Sequence, residues 1–75
     1  MFKELDIVKT NKRVNENVPE GTKGVVHQIY PNYPNLYLVE FVNEDNNTID
    51  ILEVSETDIL IVWNSDDTCN TPLLL

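Results

Sequence analysis

A chain of 75 residues makes one domain, near the size at which a single apolar core barely suffices, and leaves no room for a large internal ligand cavity. Thirteen acids against five bases give a net charge of −8, and the signs are segregated. Residues 1–24 hold all five bases (Lys3, Lys9, Lys12, Arg13, Lys23) and four acids, whereas residues 25–75 hold nine acids and no Lys or Arg. Such a surface repels phosphate backbones and anionic membranes and attracts basic proteins. One cysteine, Cys69, excludes an internal disulfide framework and a cysteine zinc set, and its acidic neighbours Asp66 and Asp67 disfavour a reactive thiolate. No apolar signal core opens the chain and no span has membrane length, so a cytoplasmic protein is expected.

In chain order, Leu5-Asp6-Ile7-Val8-Lys9-Thr10 alternates as a half-buried strand does, with Phe2 placed to fold over one end of the core. Asn11 to Glu20 is polar, anchored by Val14 and Val18, and reads as a long exposed loop. Gly21-Thr22-Lys23-Gly24 then makes a tight entry into a β-branched run, Val25-Val26-His27-Gln28-Ile29-Tyr30. Val26 and Ile29 are three apart, and strict alternation cannot send both inward; a bulge is expected around His27-Gln28. Pro31 to Asn35 is a turn restricted by two prolines. In the next strand, Tyr37 to Val42, the residues Tyr37, Val39 and Phe41 face inward and Leu38 and Glu40 outward. Asn43 to Asn47 is a hairpin tip, Thr48 to Val54 the returning strand, Ser55-Glu56-Thr57-Asp58 a capped helical turn, and Ile59 to Trp63 a short last strand.

Five short strands, a long first loop, a glycine turn and a one-turn helix before the last strand define an all-β chain and fit a small five-stranded SH3-like barrel, in which closure removes the sheet edges. The barrel occupies residues 1–63. Residues 64–75 form a C-terminal tail, with a polar start at Asn64-Ser65-Asp66-Asp67 and an apolar end at Thr71-Pro72-Leu73-Leu74-Leu75. Those leucines either cover the barrel or dock on a partner, a second copy included.

Phe2-Lys3-Glu4-Leu5-Asp6-Ile7-Val8, Gly21-Thr22-Lys23-Gly24-Val25-Val26, Ile29-Tyr30, Val39-Glu40-Phe41-Val42 and the closing stretch Val54 to Leu60 together resemble a small bacterial domain-of-unknown-function family, DUF4926, over residues 2–62. The resemblance implies an SH3-like barrel and no catalytic motif. It further implies a stand-alone bacterial protein set beside small toxin-like partners, hence an antitoxin or immunity role. The glycine turn also looks like the KOW element of ribosomal and transcription proteins, Gly-x-x-Gly-x-Val. Counterion release needs Lys and Arg along the binding face, however, and none follows Lys23, which argues against nucleic acid.

The remaining chemistry is sparse. His27 is the one histidine and has no companion Ser or Cys motif, so no catalytic role is assigned to it. Asp45 to Asp50 lacks the alternating ligands, central glycine and final glutamate of a calcium loop, and no metal or cofactor is expected. Tyr30, Tyr33 and Tyr37 surround two prolines as in peptide-binding surfaces, with Tyr37 better used as core and Tyr33 exposed. Trp63 reads as a lid on the core or as an interface anchor, the lid being favoured. The expected partner-binding set is Tyr33, Leu38, Glu40, Glu44, Asp45, Asp50 and Glu53, its acids on adjoining strands and the hairpin between them, where they can form one patch. The sequence thus describes a non-enzymatic, acidic protein-binding module, an antitoxin or immunity-type inhibitor of a basic protein. The alternatives are a structural adaptor subunit of a larger complex and, behind it, a KOW-like nucleic-acid-binding domain.

Overall fold

The computed structural model describes residues 2–64. Strands β1 (Ile7–Thr10), β2 (Lys23–Ile29), β3 (Leu36–Val42), β4 (Thr48–Ser55) and β5 (Ile59–Trp63) form one antiparallel sheet. A single 3-10 turn, Glu56–Asp58, joins β4 to β5, capped by the Ser55 hydroxyl, which accepts from the Thr57 amide. Strand order is β4-β3-β2-β1-β5, so β4 and β5 are the two edges. The fold is therefore all-β, as the strand pattern requires, but the sheet is open: no ladder joins β4 to β5.

The core lies on one face. β3 alternates as its sequence dictates, burying Tyr37, Val39 and Phe41 and leaving Leu38 and Glu40 half-buried on the outer side. Val8 from β1, Val26 from β2, Val54 from β4, Ile59 from β5 and Val18 from the first loop complete the cluster. The register of β2 on β3 jumps between Val26 and Gln28, where the three-residue spacing demands an extra residue. That bulge does not bury Ile29, which stays 39% exposed at the end of the sheet.

The two glycines of the turn serve different ends. Gly21 has φ +87°, a backbone conformation that L side chains rarely adopt. Gly24 is an ordinary strand residue that lies against the core: a Cβ there would come within 2.5 Å of Val39 Cγ1 and 2.9 Å of Phe41 Cδ1. Val8 in β1, Gly24 in β2 and Phe41 in β3 are register partners, so the missing side chain lets Phe41 and Val39 fill the centre. Thr10 ties the long loop to this turn. Its buried hydroxyl donates to the Pro19 carbonyl (3.0 Å) and accepts from the Thr22 amide (3.1 Å).

The first strand is shorter than its alternation suggests. Leu5 has φ 74° and is 67% exposed, and the chain turns from Lys3 to Asp6 before entering β1. Asp6 is 1% exposed, and its carboxylate accepts from the Lys3 amide at 2.9 Å while the Asp6 amide donates to the Lys3 carbonyl. A carboxylate can be buried when backbone donors replace its water. Phe2 then reaches over the core edge, its ring at right angles to Tyr37 with centroids 5.3 Å apart. Of the expected tail, Asn64 alone is described. Cys69 and Thr71 to Leu75 lie outside the described residues.

Candidate functional site

Directly opposed residues of an antiparallel pair share a face of the sheet. Leu38 opposes Glu53 and Glu40 opposes Ile51, so these four make a two-by-two block on the outer face of β3 and β4. The carboxylates occupy one diagonal and the apolar side chains the other, Ile51 being 50% exposed. Each carboxylate is oriented by a hydroxyl. Tyr30 OH donates to Glu53 Oε2 at 3.1 Å, and Thr48 Oγ1 donates to Glu40 Oε2. Among the described residues no cation lies within ion-pair distance of either carboxylate, and the side-chain donors that meet them are neutral hydroxyls. Partial burial first, then the hydrogen bond to Glu53 and its charge, hold the Tyr30 phenol above its ordinary pKa.

Tyr30 links this block to an apolar cleft of about 210 Å³ at the adjoining end of the sheet, lined by Phe2, Ile29, Tyr30, Pro31, Pro34 and Tyr37 among others. Of the aromatic and proline residues that resemble a peptide surface in sequence, Tyr30, Tyr37, Pro31 and Pro34 line this cleft and Tyr33 does not. Tyr37 contributes from the core side, as its place in β3 requires. Tyr33 is 66% exposed on the turn itself, its amide donating to the Tyr30 carbonyl.

The expected acidic set is divided by the fold. Leu38, Glu40 and Glu53 are brought together. Glu44 and Asp45 sit at the hairpin tip beyond Val42 and Thr48, toward the end of the hairpin away from Glu53, where Asn43 holds the turn by accepting from the Asp45 and Asn47 amides. Lys23 reaches that tip, donating to Asn46 Oδ1 at 3.0 Å. Asp50 opposes Phe41 and so lies on the core-facing side. Its carboxylate accepts from Asn15 Nδ2 (3.3 Å) and from the Ile51 amide (3.0 Å), which makes it a tie to the first loop. One continuous patch of all five acids is not what the register builds. The reason is that Asp50 and Glu53 are three apart, so alternation sends them to opposite faces, and the shift made by the extra residue between Thr48 and Asp50 sets which of them faces outward. The same shift turns Ile51 outward.

His27 is exposed at the β2 bulge. Among the described residues no three His, Cys, Asp or Glu side chains are grouped as metal ligands would be. No helix among them is long and apolar enough to cross a membrane. No family model, no curated protein and no solved structure matches this chain. The resemblance to the DUF4926 family therefore rests on the sequence segments that carry it.

Proposed function

We propose that this chain is a protein-binding module whose outer β3–β4 face, built on Leu38, Glu40, Ile51 and Glu53, takes a basic protein, in the manner of an antitoxin or immunity protein. The observation that carries the reading is the state of the two carboxylates. Glu40 and Glu53 flank exposed apolar surface, are held by neutral hydroxyls and face no cation among the described residues. An interface of this kind combines an apolar contact with charge that steers a positively charged partner. The strand order and the 3-10 turn before β5 support reading this open sheet as an SH3-like barrel. Nucleic acid is disfavoured by the same face, since it presents carboxylates where phosphates would have to lie.

The test is affinity capture on the immobilised full chain, with captured proteins identified by mass spectrometry and the capture repeated at raised salt and on a Glu40→Gln/Glu53→Gln variant. A basic protein retained by the wild type, released by salt and lost by the variant supports the reading. Equal retention by both chains, or retention of nucleic acid alone, overturns it.

A further inference from the structure

The two edges of the sheet differ in how they are defended. Edge strands expose a row of unpaired N–H and C=O groups, and soluble proteins blunt them with charge, proline or bulges. β4 carries Asp50 and Glu53. β5 reads Ile59-Leu60-Ile61-Val62-Trp63, without a charge or a proline, and Leu60, Ile61 and Val62 are 48%, 47% and 56% exposed. On one side β5 pairs with β1, and no strand among the described residues occupies the other. Its one protective device is the extra residue at Val62, past the strand's midpoint, where the register with β1 jumps from Ile61–Val8 to Trp63–Ile7.

Charge is distributed to match. Lys9 in β1 opposes Leu60, and Lys12 lies 3.8 Å from Asp58 at the entry to β5. Glu40 and Glu53 are on β3 and β4, at the far side of the sheet order. On a chain of net charge −8, the β5 edge is where another equally acidic chain can approach with the least repulsion. An uncharged strand is also complementary to itself when inverted. We propose that β5 is a homodimerisation edge: two copies pair their β5 strands antiparallel about a twofold axis near Ile61, joining two five-stranded sheets into one. Leu60 of each copy then meets Val62 of the other, and the free N–H and C=O groups of both edges are satisfied at once. Three half-exposed aliphatic side chains offer on the order of 300 Å² of apolar area. That is well below the ~800 Å² per partner of a standard interface, so the dimer is weak and forms in the micromolar range or above.

Light scattering after size exclusion, run on the full chain from about 10 μM to about 1 mM, reads this directly. The mass is expected to rise from 8.7 kDa toward twice that value. Ile61→Lys, which places two ammonium groups at the axis, is expected to weaken association at least tenfold while leaving the circular dichroism spectrum unchanged. In a Cys69→Ser background, Ile61→Cys is expected to form a disulfide-linked dimer on mild oxidation, and Thr48→Cys on the β4 edge is not. The cysteine pair decides the matter if Ile61→Lys fails to fold. A wild-type monomer at every concentration overturns the proposal. So do a dimer that survives Ile61→Lys with its fold intact, cross-linking through residue 48 in place of 61, and assemblies larger than dimers, which would pair β5 of one copy with β4 of the next.

Discussion

Gly24 is the position where this fold leaves least freedom, and the cost of filling it can be worked out from the structure. Adding one methyl group as Gly24→Ala places a carbon 2.5 Å from Val39 Cγ1 and 2.9 and 3.1 Å from two ring carbons of Phe41. Neither neighbour is the free end of a flexible side chain: both are fully buried on β3, the strand paired with β2. Relief therefore requires the backbones of β2 and β3 to part or a core side chain to leave its rotamer. Overpacking of this kind costs about 1–3 kcal/mol, and the two further methyl groups of Gly24→Val take it beyond that range. Total stability of a domain this small is on the order of 5 kcal/mol. The alanine variant should therefore fold with a melting temperature lowered by roughly 4–8 °C per kcal/mol lost, and the valine variant should be largely unfolded at room temperature. Thermal melts followed by circular dichroism check this. Removing the closest clashing atom adds an internal control. Val39→Ala alone should destabilise, yet Gly24→Ala/Val39→Ala should be more stable than the sum of the single effects, because the new methyl enters the space that Cγ1 vacates. An alanine variant that melts with the wild type, or strict additivity in the double variant, would refute the packing argument.

Three further outcomes follow from the same structure. Thr10→Val should cost about 1–2 kcal/mol in chemical denaturation, because the Pro19 carbonyl and Thr22 amide lose a buried hydroxyl partner while the shape is kept. The raised pKa of Tyr30 means that the unfolded chain ionises first as pH rises. Its contribution to stability is complete below the ordinary tyrosine value of about 10 and falls away above it; Tyr30→Phe should flatten the alkaline limb of a stability–pH curve, and an unchanged limb would show that the fold does not hold the phenol protonated. Glu40→Gln/Glu53→Gln keeps an acceptor for each hydroxyl and removes two like charges, so stability should hold or rise slightly at low salt; a loss above about 1 kcal/mol in thermal denaturation would make the carboxylates structural.

The strands were legible because their pattern is local. Alternation in Tyr37 to Val42 places Tyr37, Val39 and Phe41 inside, and the spacing of Val26 and Ile29 calls for the bulge that the register displays. The errors arose where a tertiary partner outweighs the pattern. Asp6 lies in an alternating stretch that begins at Leu5 and reads as strand. In the fold, amide donors at Lys3 allow it to be buried, and Leu5 takes a positive φ in a turn. Asp50 reads as surface acid on a strand of acids. One extra residue in β4 rotates it to the Phe41 side, within reach of Asn15, thirty-five positions earlier. Tyr30 and Thr48, which orient the two carboxylates of the outer block, lie in other elements at distances no spacing rule connects to Glu53 or Glu40. Barrel closure goes beyond any local pattern, since it depends on how the two edge strands meet; what the fold shows is one open five-stranded sheet with β4 and β5 at its edges.

The open sheet links the charge segregation of the sequence to geometry. The basic first third supplies β1, the long loop and the first two residues of β2; the acidic remainder supplies β3, the tip and β4. Because β5 returns to pair with β1, an uncharged strand from the acidic part is laid beside the basic part, and the acids of β3 and β4 are left at the other end of the strand order. Had β5 paired with β4 instead, its apolar side chains would cover the edge next to Glu53 and the bases would flank a bare β1. The observed order puts the acidic β3–β4 pair and the apolar β5 edge at opposite ends of the strand order. A basic partner on the first and a second copy on the second would use different side chains. For a chain of this size that separation is what allows one small core to support two surfaces of different chemistry.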